Sequence, residues 1–253
     1  MNVSRRKSRK SPTRSRTRYL IVAAIAATAI IGYLVVSASF QAQCVTTLST
    51  AQQTLVSGTA TKSIILYVNQ GNGVVNDSNF GELMDTATSH GFNTIFFQVY
   101  RSGALLFTSS SLGQFVASAH AQGLKIFFAL YFTNSTQKIP SSIYADGEDG
   151  ISLDMSTLPV PAQTTLFNDL SCHYSGKTAI TTTDPTLPLS PDLLVVETYA
   201  AGDQQYVHPG MIAGVEVVAT SSRQDYEQQV QYALANSDGV MVFDYAGLVK
   251  SGY

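Results

Sequence analysis

From Ser63 onward, short apolar runs alternate with segments whose apolar residues recur every three or four positions. The runs are IILYVN (64–69), NTIFFQVY (93–100), LKIFFALYF (124–132), GISLDM (150–155), KTAITTT (177–183), LLVVETY (193–199), IAGVEVVA (212–219) and GVMVFDY (239–245). Many of their residues are β-branched or aromatic, and most runs lack the polar alternation of a half-exposed strand. This pattern predicts strands of a parallel sheet covered by helices. Between the runs, FGELMDTATSHG, SLGQFVASAHAQG, PAQTTLFNDLSCHY and RQDYEQQVQYALANS carry helical spacing. The first two close on Gly91 and just past Gln122 on Gly123, residues suited to a helix C-terminus. The intervals after the third, fifth and sixth runs lack clear helical periodicity.

Eight strands with intervening crossovers predict a compact (β/α)8 TIM-type barrel over residues 63–253. An open doubly wound sheet is the competing arrangement, but no GxGxxG follows the first strand, which removes the main mark of a dinucleotide fold. The region is shorter than the roughly 200 residues at the low end for such barrels. The eighth strand is followed by too few residues for more than a helical stub.

Charge divides the chain. Residues 1–18 hold eight basic residues, and no acid precedes Asp77. That leaves seven of the 15 Lys and Arg against 17 Asp and Glu in the remainder. The tail is followed by YLIVAAIAATAIIGYLVV, residues 19–36, which carries no charge. Eighteen residues at 1.5 Å each span roughly 27 Å, close to the hydrocarbon thickness of a bilayer. Basic residues on one flank predict a cytoplasmic tail at 1–18, a single-pass transmembrane anchor at 19–36 and an extracellular barrel. A cleaved signal peptide is the competing reading, because small residues follow in VSASFQAQC. Residues 37–62, rich in Ser, Thr, Gln and Ala, read as a flexible stalk. The anchor accounts for the basic run, so no nucleic-acid partner is expected. Cys44 and Cys172, the only cysteines, are available for one disulfide between stalk and domain, or stand as two thiols. No cysteine or histidine cluster has metal-ligand spacing, and neither a metal nor a cofactor is expected.

In barrels of this type active groups sit at the C-terminal ends of the strands. Four acids fall there: Asp154 on the fourth, Glu197 on the sixth, Glu216 in the seventh and Asp244 on the eighth. They are the candidate catalytic residues. Tyr67, Asn69, Gln98, Arg101, Tyr131, Tyr199 and Tyr245 lie at comparable positions and suit the faces and hydroxyls of a sugar, so a carbohydrate is the expected ligand. The ordinary alternative is that each acid is a salt-bridged or hydrogen-bonded strand-end residue and each tyrosine a plug.

GFNTIFFQVYRSGALLF (91–107) with AHAQGLKIFFALYF (119–132) resembles the second and third βα units of glycoside hydrolases with TIM barrels. DGISLDMS (149–156) resembles the fourth strand of the family 18 chitinase group, written DGxDxDxE, and FDYAGL resembles the last strand of such barrels. Asp149, Gly150 and Asp154 match. Ser152 replaces the first inner Asp, and Ser156 replaces the Glu that protonates the leaving group in that group. A serine hydroxyl cannot serve as that acid near neutral pH. Any cutting must therefore use another pair, for which Asp154 and Glu216 on strands four and seven are the expected choice, with Glu197 or Asp244 as substitutes. Two functions follow. One is a membrane-anchored extracellular glycoside hydrolase-like protein acting on surface or environmental glycans through a carboxylate pair. The other is a catalytically degenerate barrel that binds glycans or serves as a cell-surface structural component.

Overall fold

The computed structural model describes residues 62–252 except 74, 146, 200–202 and 218–221. The basic tail, the anchor segment at 19–36, nearly all of the stalk and Cys44 lie outside the described residues. Among the described residues, no helix is long and apolar enough to cross a membrane.

Eight parallel strands form the frame: β1 (Ser63–Val68), β2 (Thr94–Arg101), β3 (Lys125–Tyr131), β4 (Gly150–Asp154), β5 (Lys177–Thr182), β6 (Leu193–Glu197), β7 (Ile212–Glu216) and β8 (Gly239–Phe243). Each pairs with the next in chain order, and β1 pairs with both β2 and β8, so the sheet closes on itself. This is a (β/α)8 TIM barrel. A two-residue arm, Ala104–Leu105, folds back antiparallel on β2. The helices are α1 (Phe80–Ser89), α2 (Ser109–Ala121), α3 (Val160–His173), α4 (Arg223–Asn236) and the seven-residue α5 (Tyr245–Ser251). The connections after β3 and β6 contain only short 3-10 turns at Ser141–Ala145 and Asp203–Tyr206 among their described residues. The connection after β5 has no helix. These are the intervals in which the sequence lacks helical periodicity.

Two helix-to-strand joints are built alike. Gly91 and Gly123 take the left-handed conformation after α1 and α2, with φ of 76° and 77°. The two residues after each helix cap then bond back to the last turn: Gly91 N to Thr88 O and Phe92 N to Ala87 O, Gly123 N to His120 O and Leu124 N to Ala119 O. This double bond pattern is the Schellman closure, and it satisfies carbonyls the helix end leaves unpaired.

The closed end of the barrel, where strands begin, is fastened by another repeated device. The residue just before β2, β4 or β6 accepts a hydrogen bond from the N–H of the second residue of the preceding strand. Asn93 accepts from Ile64, Asp149 from Ile126 and Asp192 from Thr178, at 3.0, 2.8 and 2.7 Å. Asp149 also contacts His120 Nε2 at 2.8 Å, tying α2 to the same corner. Lys62 belongs here rather than to the stalk, because its ammonium reaches Ser237 O and Leu234 O while Asn93 Nδ2 donates to its carbonyl.

The core has two compartments. Inside the barrel lie Ile65, Phe96, Phe127, Ala129, Ala179, Val195, Ile212 and Met241. Phe96 stacks on Phe127 at 5.0 Å. The Phe127 ring also lies against Gly150, where an added Cβ would meet it at 2.2 Å. The glycine of the DG pair is thus a packing requirement. The larger compartment lies between strands and helices, around Phe97 of β2, which stacks on Phe115 of α2 at 4.2 Å while Phe80 of α1 meets Phe115 at 4.8 Å.

Replacing Phe115 with alanine removes the ring both neighbours rest on and leaves a cavity in a fully buried site. The expected cost is about 3–5 kcal/mol, read as a lowered urea midpoint with an unchanged slope. A cost under about 1 kcal/mol would mean that this compartment does not hold α1 and α2 to the sheet.

Candidate active site

Inward-facing positions follow from register. Glu216, Phe243 and Tyr67 pair across β7, β8 and β1, and Tyr131, Asp154 and Thr181 pair across β3, β4 and β5. Glu197 lies across from Gly214, two positions below Glu216. These residues form the uppermost ring of the lumen, at the strands' C-terminal ends.

Asp154 is the buried one of the four acids, 6% exposed. Tyr67, reaching across from β1, donates its hydroxyl to Asp154 Oδ2 at 2.9 Å, and Ser156 Oγ lies 3.5 Å from Oδ1. Burial pushes the Asp154 carboxyl up to about 6, although the Tyr67 and Ser156 hydrogen bonds and the more distant Arg101 guanidinium pull the other way. Glu197 is half-buried. Burial first, then the charges of Asp154 and Glu216, raise it to about 7. Neither Glu197 nor Glu216 accepts a hydrogen bond from a described residue. Tyr199 sits among all four acids. Its hydroxyl is buried without a hydrogen-bond partner among the described residues, and burial with the surrounding carboxylates holds it well above the ordinary phenol range.

Asp244 has a local job. It is the N-cap of α5, and its Oδ1 accepts from Gly247 N at 2.9 Å. Burial raises its carboxyl, opposed by that backbone donor.

The proposed sugar-contacting residues separate into three groups. Asn69, Arg101, Tyr131 and Tyr199 are partly exposed at the mouth. Tyr67 and Gln98 are buried beneath it and are already engaged: Gln98 Oε1 accepts from Gln70 N at 2.9 Å, and its Nε2 lies 3.5 Å from the Tyr67 hydroxyl. Tyr245 is not at the mouth. It starts α5 and is buried between the sheet and helices, hydrogen-bonded to Thr86 and near Glu82 of α1. The cause is α5 starting right after Asp244, which turns Tyr245 away from the lumen.

No cation pairs with these acids among the described residues: Lys177 begins β5 at the opposite end of the barrel, and Arg101 forms no ion pair within 4.0 Å. No group of three or more His, Cys, Asp or Glu among the described residues is arranged to hold a metal ion. A cavity of about 140 Å³ lies beside the rim, lined by Thr198, Val207, Val215, Tyr232 and Ala233, and none of the four acids reaches it. Cys172, on α3, is not a free thiol. Cys44, the other cysteine of the sequence, lies outside the described residues.

No family model and no curated protein matches the sequence. Solved structures do match the fold. A chitinase from Bacteroides thetaiotaomicron superposes with a TM-score of 0.55 at 12% identity, over 74% of this chain and 91% of that one. A glycoside hydrolase family 5 protein from Bacteroides vulgatus gives 0.54 at 10% identity, over 71% and 58% of the two chains. The GH20 β-N-acetylhexosaminidase from Streptomyces coelicolor gives 0.50 at 8% identity, over 73% and 59%. At such identities the likeness establishes a shared TIM-barrel fold.

The raised Asp154 carboxyl makes stability depend on pH. Its folded value near 6 lies above the ordinary 3.8, so the folded state binds its proton first as pH falls. The stability this group contributes is complete below about 4 and is lost as pH rises through about 6. Asp154→Asn removes that loss. Between pH 4 and pH 8 its stability relative to the parent should rise, by at most about 3 kcal/mol, in urea unfolding at the two pH values. A difference independent of pH would show that the carboxyl is not held in its buried, raised state.

Proposed function

We propose that this protein is a glycoside hydrolase in which Glu197 and Glu216, on adjacent strands β6 and β7, are the reacting carboxyls. The observation that carries this reading is the pair of half-buried acids at the lumen's mouth, free of hydrogen bonds from described residues, with Glu197 raised to about 7 beside the Glu216 charge. A glycosidic bond needs one carboxyl that holds its proton near neutral pH and another that acts as nucleophile or base. Glu197 fits the first task and Glu216 the second. Asp154 stands behind them, sustaining the Glu197 proton by its charge and fixed by Tyr67. This revises the pairing expected from strand positions, because Asp154 is covered. The solved structures that share the fold include a chitinase and hydrolases of families 5 and 20, and this supports a carbohydrate as substrate.

The uncharged segment at 19–36 behind a basic tail supports a barrel tethered outside a membrane, acting on surface or environmental glycans. One observation favours the second reading, a glycan-binding barrel without turnover: Asp154, the inner acid that matches the DGxDxDxE pattern, is engaged with Tyr67 and buried.

Turnover decides between them. On a panel of aryl glycosides and oligosaccharides, Glu197→Gln should lower kcat by about 10²–10⁴-fold, and the parent's rate should fall as pH rises past about 7, where Glu197 loses its proton. Retention of anomeric configuration would indicate carboxyls about 5–5.5 Å apart, inversion about 6.5–9.5 Å. Full activity in Glu197→Gln would overturn the assignment. Binding without any turnover would leave the second reading.

A further inference from the structure

We infer that Arg101 forms an anion subsite, so that the glycan taken at this mouth carries an oxyanion, a uronic acid carboxylate or a sulfate ester; this rests on reading the mouth as a glycan site. Arg101 faces the lumen because β2 breaks its own alternation. The register of β2 on β3 runs Gln98 to Ala129, then Tyr100 to Leu130 and Arg101 to Tyr131, so Val99 is bulged out of the ladder. Without the bulge, Gln98 inward would put Tyr100 inward and Arg101 outward. With it, Tyr100 turns out to meet the Phe132 ring at 5.2 Å and donate to Lys138 O, and Arg101 turns in. A bulge of this type re-aims a side chain.

The guanidinium is then held from one side. Nη1 donates to Asn69 Oδ1 at 3.0 Å and approaches Gln98 Oε1 at 3.4 Å, and the group lies over the Tyr131 ring at 5.2 Å. Asn69 is fixed in turn by accepting from Gly71 N at 2.8 Å. Gly71 itself gives way to the arginine, for a Cβ there would lie 2.6 Å from Nη1. Structural duties are thus confined to Nη1. Nε and Nη2 donate to no described residue, and their parallel N–H groups form the edge that takes a planar carboxylate or two sulfate oxygens bidentately.

Among the residues that end the eight strands, Arg101 is the only cation. It stands on β2, across the ring from β6 and four strands from Glu197. The mouth is therefore polarised, with the cation on the side of the covered Asp154 and the open carboxyls of Glu197 and Glu216 opposite. A glycan with one anionic ring is held away from those carboxyls and can enter in only one direction.

Three tetrasaccharides test this by calorimetry with the barrel-containing chain: tetragalacturonate, its methyl ester, and a neutral tetrasaccharide carrying a single 6-sulfate. The acid or the sulfated sugar should bind at least tenfold more tightly than the methyl ester, and which one does so identifies the oxyanion. Arg101→Gln should abolish the preference, and Arg101→Lys, keeping charge without the fork, should retain only part of it. Methyl-ester affinity should fall less than affinity for the preferred oxyanion in both variants, which separates anion binding from a merely structural role. Equal affinity for ester and acid, a preference that survives Arg101→Gln, or no binding of any of the three would overturn the subsite. Turnover with Glu197→Gln is scored separately: an acidic glycan bound through Arg101 but never cut sinks the hydrolase reading alone, and neutral glycans cut without acidic preference sink the subsite alone.

Discussion

The hydrogen bond from Tyr67 to Asp154 spans the top of the barrel from β1 to β4, and the organisation of the mouth follows from it. A carboxyl in so apolar a lumen must be paired, hydrogen-bonded or neutral. Here a phenol supplies one donor and Ser156 two more, its N–H and its hydroxyl, too little to offset burial, so the carboxyl remains raised. The Tyr67 ring meets Phe243 at 5.2 Å, and Phe243 meets Tyr199 at 5.9 Å. That aromatic row carries the constraint from the covered acid to the open ones. The Tyr199 hydroxyl is held among carboxylates that it cannot neutralise.

The acids of the barrel are of two kinds, those met by hydrogen-bond donors and those met by burial and like charge. Asp149 has the Ile126 N–H and His120, and Asp192 has the Thr178 N–H and hydroxyl. Asp184, in the connection after β5, accepts from both N–H and hydroxyl of Thr186, and those bonds lower its carboxyl below the usual range. These are satisfied anions that fix backbone. Glu197 has burial and like charges instead of donors, which is the condition that keeps a proton on a carboxyl near neutral pH. Asp244 shows that position alone is a poor guide: it lies at a strand end with the others, yet one of its oxygens caps a helix.

The strands and four helices were legible in the sequence because both signals are periodic and local. The apolar runs have no polar face to lose, and the helices carry their own stops at Gly91 and Gly123. Four acids at strand ends were legible for the same reason, since strand ends follow from strands. Individual orientation was harder to read. The β2 bulge reverses the parity of Tyr100 and Arg101, and nothing in NTIFFQVYR marks Val99 as the residue left out. Tyr245 reads as part of an apolar strand until the Asp-x-x-Gly cap after Phe243 is taken as a helix start, a signal that was present in FDYAGL. The covering of Asp154 depends on Tyr67, 87 positions away, and no local pattern carries that.

The serines at 152 and 156 then acquire a physical reading. Ser152 faces the lumen between Ala129 and Ala179 with its hydroxyl buried and unpartnered among the described residues, directly below the ring that holds Asp154. An aspartate there would add a second buried carboxyl where no further donor is provided, at a cost of several kcal/mol per unpaired ion. A glutamate at 156 would set another charge against Asp154 in place of the Ser156 hydroxyl. This barrel can hold one acid on β4 because it holds only one. The other acids of the lumen's end stand on β6 and β7, where the side chains are half-exposed and the Glu216 charge helps to raise Glu197. The single covered acid of β4 and the half-exposed glutamates of β6 and β7 thus divide the negative charge of the mouth between a buried site and one that water reaches.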